Sequence, residues 1–112
     1  MLLDLNRLAM DNEARKVINK YSMIDTTLLY YASDIIHELD NACDSKTTAK
    51  NIWRWIFLDT HNQKEMTCEE FSRLYRTQAD AKSRSAAWEA YKRIMDKLLA
   101  EIQSREEAYR ND

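Results

Sequence analysis

Residues 45–70 read SKTTAKNIWRWIFLDTHNQKEMTCEE, and how this stretch folds decides the architecture. Ser45 follows Asp40, Asn41 and Asp44 and can cap a helix, its oxygen accepting a backbone N–H that the first turn leaves unpaired. Behind it Ala49, Ile52, Trp53, Ile56 and Phe57 recur at spacings of three and four, the period of an amphipathic helix. The polar run Asp59, Thr60, His61, Asn62, Gln63 and Lys64 ends that helix, and Asn62 is suited to the left-handed turn that glycine would ordinarily take. Thr67-Cys68-Glu69-Glu70 then matches the S/T-x-x-E capping box, in which threonine and glutamate satisfy each other's backbone donors. Two helix starts thus stand about twenty residues apart, with no strand signal between them.

Working outward, Asp25 precedes a broad apolar stripe of Leu28, Ala32, Ile35, Leu39 and Ala42, flanked by Leu29, Ile36 and Cys43, which predicts a helix ahead of Ser45. A less regular helix carrying Leu5, Leu8, Met10, Ala14, Val17, Ile18 and Tyr21 comes first, with a break expected near Asp11 and Asn12. Phe71, Leu74 and Tyr75 form the apolar edge of the short helix after Thr67, and a polar stretch from Gln78 to Ser85 follows. The last helix is expected to begin near Asp80 or Ser83 and carries Trp88, Tyr91, Met95, Leu98 and Ile102 at heptad-like spacing. The expectation is an all-α fold: one compact bundle of about five helices over residues 1–112, the C-terminal helix longest.

Composition agrees. The 112 residues include no glycine and no proline, where average usage gives roughly eight and roughly six. Phosphate-cradling loops, dinucleotide fingerprints and nucleophile elbows need glycine where the backbone takes positive φ or presses against a ligand, so these are excluded. There is also no Asn-Gly or Asp-Gly pair to start a hairpin. With 45% hydrophobic and 32% charged residues the chain has enough apolar matter for a core and is not of disordered composition. No uncharged apolar run, Ile56 to Leu58 included, approaches the ~20 residues that span a bilayer. The first residues, MLLDLNRLAMDNEAR, lack the basic and apolar regions of a secretory signal, so a cytoplasmic location is expected. Cys43 and Cys68 accordingly read as reduced thiols.

Charge is uneven on a chain of net −2. Residues 1–45 hold four basic side chains against eight acidic ones. Between residues 73 and 97, Arg73, Arg76, Lys82, Arg84, Lys92, Arg93 and Lys97 outnumber Asp80, Glu89 and Asp96. Such a block is either a binding surface or the complement of the acidic half within the fold.

Chemistry has few footholds. His37 and His61 fall in different helices, neither with a second histidine at ligand spacing, and His61, Glu65 and Cys68 come closest to a cluster without a Cys-x-x-Cys or His-x-x-x-His. His37 lies three residues from both Asp34 and Asp40, a pairing that a helix surface explains without catalysis. Cys68, in a helix's first turn, is the more activatable thiol, but no base is placed beside it. No metal, no cofactor and no catalytic residue is assigned.

Aromatic residues carry more information. Trp53, Trp55 and Phe57 alternate in one helix and cannot all share the face of Ile52 and Ile56, since Trp55 falls roughly 130° from the centre of the stripe of Ala49, Ile52, Trp53, Ile56 and Phe57. Tyr30 and Tyr31 pose the same conflict one helix earlier. Aromatics at partly exposed positions beside arginine are common interface anchors. The leading expectation is therefore a non-enzymatic protein-interaction module, using Tyr30, Trp55, Arg73, Arg76, Arg84, Lys92 and Arg93. An adaptor, a small regulatory subunit or a stoichiometric inhibitor fits, including a phage or mobile-element protein that blocks a nucleic-acid enzyme. The alternative is a helix-turn-helix-like DNA-binding regulator built on residues 67–97, although its polar gap is long for that motif and the chain is acidic overall. A homodimer through Trp88, Tyr91, Met95, Leu98 and Ile102 is compatible with either.

Overall fold

The structure is a computed structural model; it describes residues 5–76 and 84–110, with side chains over residues 13–76 and 84–108. Four α-helices make up these residues, with no strand among them: α1 Leu5–Ala42, α2 Lys46–Asn62, α3 Cys68–Tyr75 and α4 Arg84–Arg110. The all-α class holds, while the expected five helices become four, because α1 runs unbroken for 38 residues and not α4, with 27, is the longest. Asp25 does not start a helix. On either side of it Ile24, Thr27 and Leu28 are buried, and Thr26 and Thr27 donate their hydroxyls back to the Ser22 and Met23 carbonyls, at 2.7 and 2.8 Å. Hydroxyls used in this way sit inside a helix without capping it. The expected break at Asp11 and Asn12 likewise falls within α1. Asp80 and Ser83, the expected start of the last helix, lie outside the described residues.

The other helix ends are where capping chemistry puts them. Ser45 accepts the Thr48 N–H at 3.1 Å. The Thr67 capping box is complete, Glu70 N–H to the Thr67 hydroxyl at 3.1 Å and Thr67 N–H to the Glu70 carboxylate at 3.2 Å. The left-handed residue that closes α2 is Gln63, at φ 54° and ψ 40°, and not Asn62. It is the one positive-φ residue among the described ones, and its N–H reaches back to the Thr60 and Asp59 carbonyl region.

At 1.5 Å per residue α1 is about 57 Å long, which accounts for a molecule of 63 × 27 × 23 Å. α2 and α4 each run antiparallel to α1: His61 meets Asp25 at 2.6 Å, Arg93 meets Glu38 at 2.8 Å, and Lys20 meets Glu106 at 3.3 Å. Between the three helices lies one core of Ile24, Leu28, Ile35 and Leu39 from α1, Ile52 and Ile56 from α2, and Met95, Leu98 and Ile102 from α4. Tyr91, Met95, Leu98 and Ile102 are each at most 1% exposed. The heptad-like seam of α4 thus packs inside the chain at Tyr91, Met95, Leu98 and Ile102, while Trp88 is half-buried.

Short α3 covers the remaining side of the core through Phe71, which lies 5.3–5.7 Å, centroid to centroid, from the rings of Trp55, Tyr75, Trp88 and Tyr91. Phe71→Ala should cost about 3–5 kcal/mol, read as a lower urea midpoint, because it empties the centre of this aromatic cluster. A midpoint unchanged from wild type would mean that α3 contributes nothing to the core.

Candidate functional site

The polar connection between α2 and α3 is held by one phenol. Tyr91 of α4 donates its hydroxyl to Asp59 Oδ2 at 2.6 Å and accepts the Met66 N–H at 2.8 Å, while its ring packs on Phe71 and Trp88. Burial first, and then the Asp59 carboxylate, push the Tyr91 hydroxyl well above its ordinary pKa, so it stays a donor. Burial also pushes the Asp59 carboxyl up, partly offset by the Tyr91 hydrogen bond, with the Glu70 charge adding to the rise. Glu70 goes the other way: the Thr67 backbone N–H and then its hydroxyl hold that carboxyl below its ordinary value.

This network supports a groove between α2 and α3 lined by Trp55, Leu58, Met66, Leu74, Glu70 and Arg73, with Asp59 at its edge. Leu58 and Leu74 are 57% and 43% exposed there, while Trp55 is half-buried, edge-on against Phe71. Two of the expected interface residues, Trp55 and Arg73, therefore meet in one place. Trp55 is less exposed than its helical phase implies, because α3 folds over the face of α2 that the phase leaves outward. Leu58 and Leu74 were missed as site residues; their signal was apolar character off the core stripe, which only the position of α3 turns into a groove.

The remaining expected residues do not join it. Tyr30 is 73% exposed on α1, edge-on to Tyr31 at 4.9 Å, and does not line the groove. Lys92 bonds Glu65 at 2.8 Å and Asp96 at 3.4 Å, and its ammonium is held above its ordinary value by Glu65 first. Arg93 bonds Glu38, and Lys97 sits 4.7 Å over the Tyr31 ring. Much of the basic block thus complements acidic residues of the same chain. Arg73, Arg76 and Arg84 remain exposed. Lys82 and Asp80 lie outside the described residues.

The histidines and thiols are dispersed. His61 directs Nδ1 to the Phe57 carbonyl at 2.8 Å and Nε2 to Asp25, and it stacks with Tyr21. His37 contacts Asn41 at 3.3 Å. Cys68 is exposed, and Cys43 is half-buried, its thiol pushed up by burial first and then by Asp40 and Asp44. Among the described residues no three His, Cys, Asp or Glu side chains converge on one point, and no helix is long and apolar enough to cross a membrane. No known protein family, curated protein or solved structure matches the chain.

The opposite shifts of Asp59 and Glu70 give opposite pH dependences. Asp59 has a folded pKa above its unfolded value, so its cost to the fold is present above the raised value and vanishes as pH falls toward about 3.9. Glu70 has a lowered folded pKa, so its stabilisation is present above about 4.3 and is lost as pH falls through the folded value. In urea unfolding between neutral and acid pH, wild type should gain on Asp59→Asn as pH drops and should lose its advantage over Glu70→Gln. Profiles that run parallel would contradict both assignments.

Proposed function

We propose that the chain is a non-enzymatic protein-interaction module that engages a protein partner at the α2–α3 groove. The observation that carries this reading is Leu58, an aliphatic side chain more exposed than buried, beside Arg73 on a floor of Trp55 and Met66. A small apolar pocket with a charged rim, fixed in place before binding, is the arrangement in which a few residues supply most of an interface's affinity. The Tyr91 hydrogen bonds and the Phe71 ring contacts supply that rigidity. Arg73 on the rim suits an acidic or carbonyl-bearing residue of the partner next to its apolar anchor. An adaptor, a small regulatory subunit and a stoichiometric inhibitor all work through such a contact.

Charge pairing favours protein over duplex DNA as the partner. Lys92 and Arg93, which a DNA-binding regulator would turn toward phosphates, are matched by Glu65, Asp96 and Glu38. Phosphate binding draws its affinity from cations that exchange salt ions for the backbone, and paired cations give little of it.

Full-length chain immobilised on a sensor should bind its host partner, and Leu58→Asp or Arg73→Glu should each weaken that binding about tenfold or more, a loss of about 1.4 kcal/mol or above. Tyr30→Ala should leave it unchanged. Binding that survives both groove variants, or a mobility shift on random duplex at low salt that all forms share, would overturn the proposal.

A further inference from the structure

A second apolar surface lies on the side of the molecule away from α4. Ile18 and Ile36 are eighteen residues apart on α1 and share one direction, with Leu29 about 20° from it. Glu38 and Lys20, which bond α4, point about 160° away from Ile36. Leu29 is 78% exposed, Ile18 61%, and Ile36 and Tyr21 about half. α2 continues the same surface: Phe57 is exposed and its ring lies 4.4 Å from that of His61, which stacks on Tyr21, while half-buried Trp53 lies next to Ile36 in the notch between the helices. Five of the nine large exposed apolar side chains among the described residues, namely Ile18, Tyr21, Leu29, Ile36 and Phe57, belong to this one face.

We propose that this α1–α2 face is a homodimer interface, where a second copy packs its α2 over α1 and its α1 over α2 to complete a four-helix layer. Two observations select a second copy as the occupant. The first is charge. On α1 the acids within about 40° of the Ile18–Ile36 direction are Asp25 and Asp40, and residues 21–42 hold no lysine or arginine, whereas on α2 Lys46, Lys50 and Arg54 lie within about 60° of Phe57 and no acid precedes Asp59. A two-fold axis parallel to the helices sets the acidic helix of each copy across the basic helix of the other, which is the self-complementarity an isologous contact requires. Packing α1 on α1 would instead bring Asp25 and Asp40 against acidic neighbours.

The second is extent. α2 lies beside α1 from about residue 24 to about residue 40, about 24 Å, and two helices 8–10 Å apart make the face about 20 Å wide. That footprint, on the order of 500 Å² before side-chain relief, comes close to the ~800 Å² of accessible surface each partner buries in a standard interface. The face is also two helices broad, a shape that a matching pair of helices covers and a single extended peptide does not.

The register is specific. Asp25 meets His61, and antiparallel helices place Leu29 at the height of Phe57, so the two-fold sets Leu29 of one copy against Phe57 of the other. Sedimentation of the full chain from low-micromolar to sub-millimolar concentration should show a species of twice the 13.3 kDa chain mass. The exposed-site variant Leu29→Glu with Ile36→Glu should sediment as monomer with unchanged helical circular dichroism, and Leu58→Asp should remain dimeric. With Cys43→Ser and Cys68→Ser in the background, chains carrying Leu29→Cys should cross-link on oxidation to chains carrying Phe57→Cys and not to one another. A wild type that stays monomeric throughout, including one whose Leu29→Glu form loses an unrelated partner instead, overturns the proposal. Self-linking of Leu29→Cys chains overturns the arrangement by showing α1 against α1.

Discussion

One hydroxyl holds together the part of the molecule that carries the α2–α3 groove. Tyr91 ties α4 to Asp59 near the end of α2 and to the Met66 backbone in the connection, and its ring seats Phe71 of α3. Were that hydroxyl missing, the Met66 N–H would be buried without a partner, a cost of about 1–3 kcal/mol, and the half-buried Asp59 carboxylate would lose its donor. The helix it secures has only eight residues, too few to persist in water on their own. α3 therefore exists because its cap and its aromatic contacts exist, and the groove beside it inherits that dependence.

Local chemistry was legible in the sequence to the extent that it was local. Ser45 and the Thr67 box each act within three residues, so their hydrogen bonds could be read from spacing alone. The core stripe of α4 followed from period in the same way, but period says which face is apolar and not what covers it; α1 and α2 cover most of it. Asp25 misled because an acid ahead of an apolar run is the usual cap signature, while the neighbouring threonine hydroxyls, bonded back into the helix, carry no pattern that tells them from caps.

The groove was half legible for a related reason. Trp55 and Arg73 are separated by a turn and a helix boundary, and nothing in their spacing brings them together; the packing of Phe71 against Trp55 does. The same long-range geometry decides the meaning of the basic block. Lys92 finds Glu65 and Arg93 finds Glu38, 27 and 55 residues away, so a run that reads as a patch becomes partly an internal complement, leaving arginines at α3 and at the start of α4 exposed.

A chain without glycine has little backbone freedom to spend on a site, and the one left-handed residue among those described, Gln63, closes a helix. The proposed function accordingly lies in side chains on helix faces, and α2 presents two of them. Phe57 and Leu58 are successive residues, about 100° apart around the helix, so Phe57 belongs to the α1–α2 face and Leu58 to the α2–α3 groove. Covering the first leaves the second open. A dimer formed through α1 and α2 would therefore carry two outward grooves on one rigid body, and a partner presenting two matching anchors at that spacing would gain avidity of about 10²–10⁴ over a single groove without any new contact. Division of labour between neighbouring residues of one helix would let a chain this small offer both the proposed self-contact and the proposed partner contact.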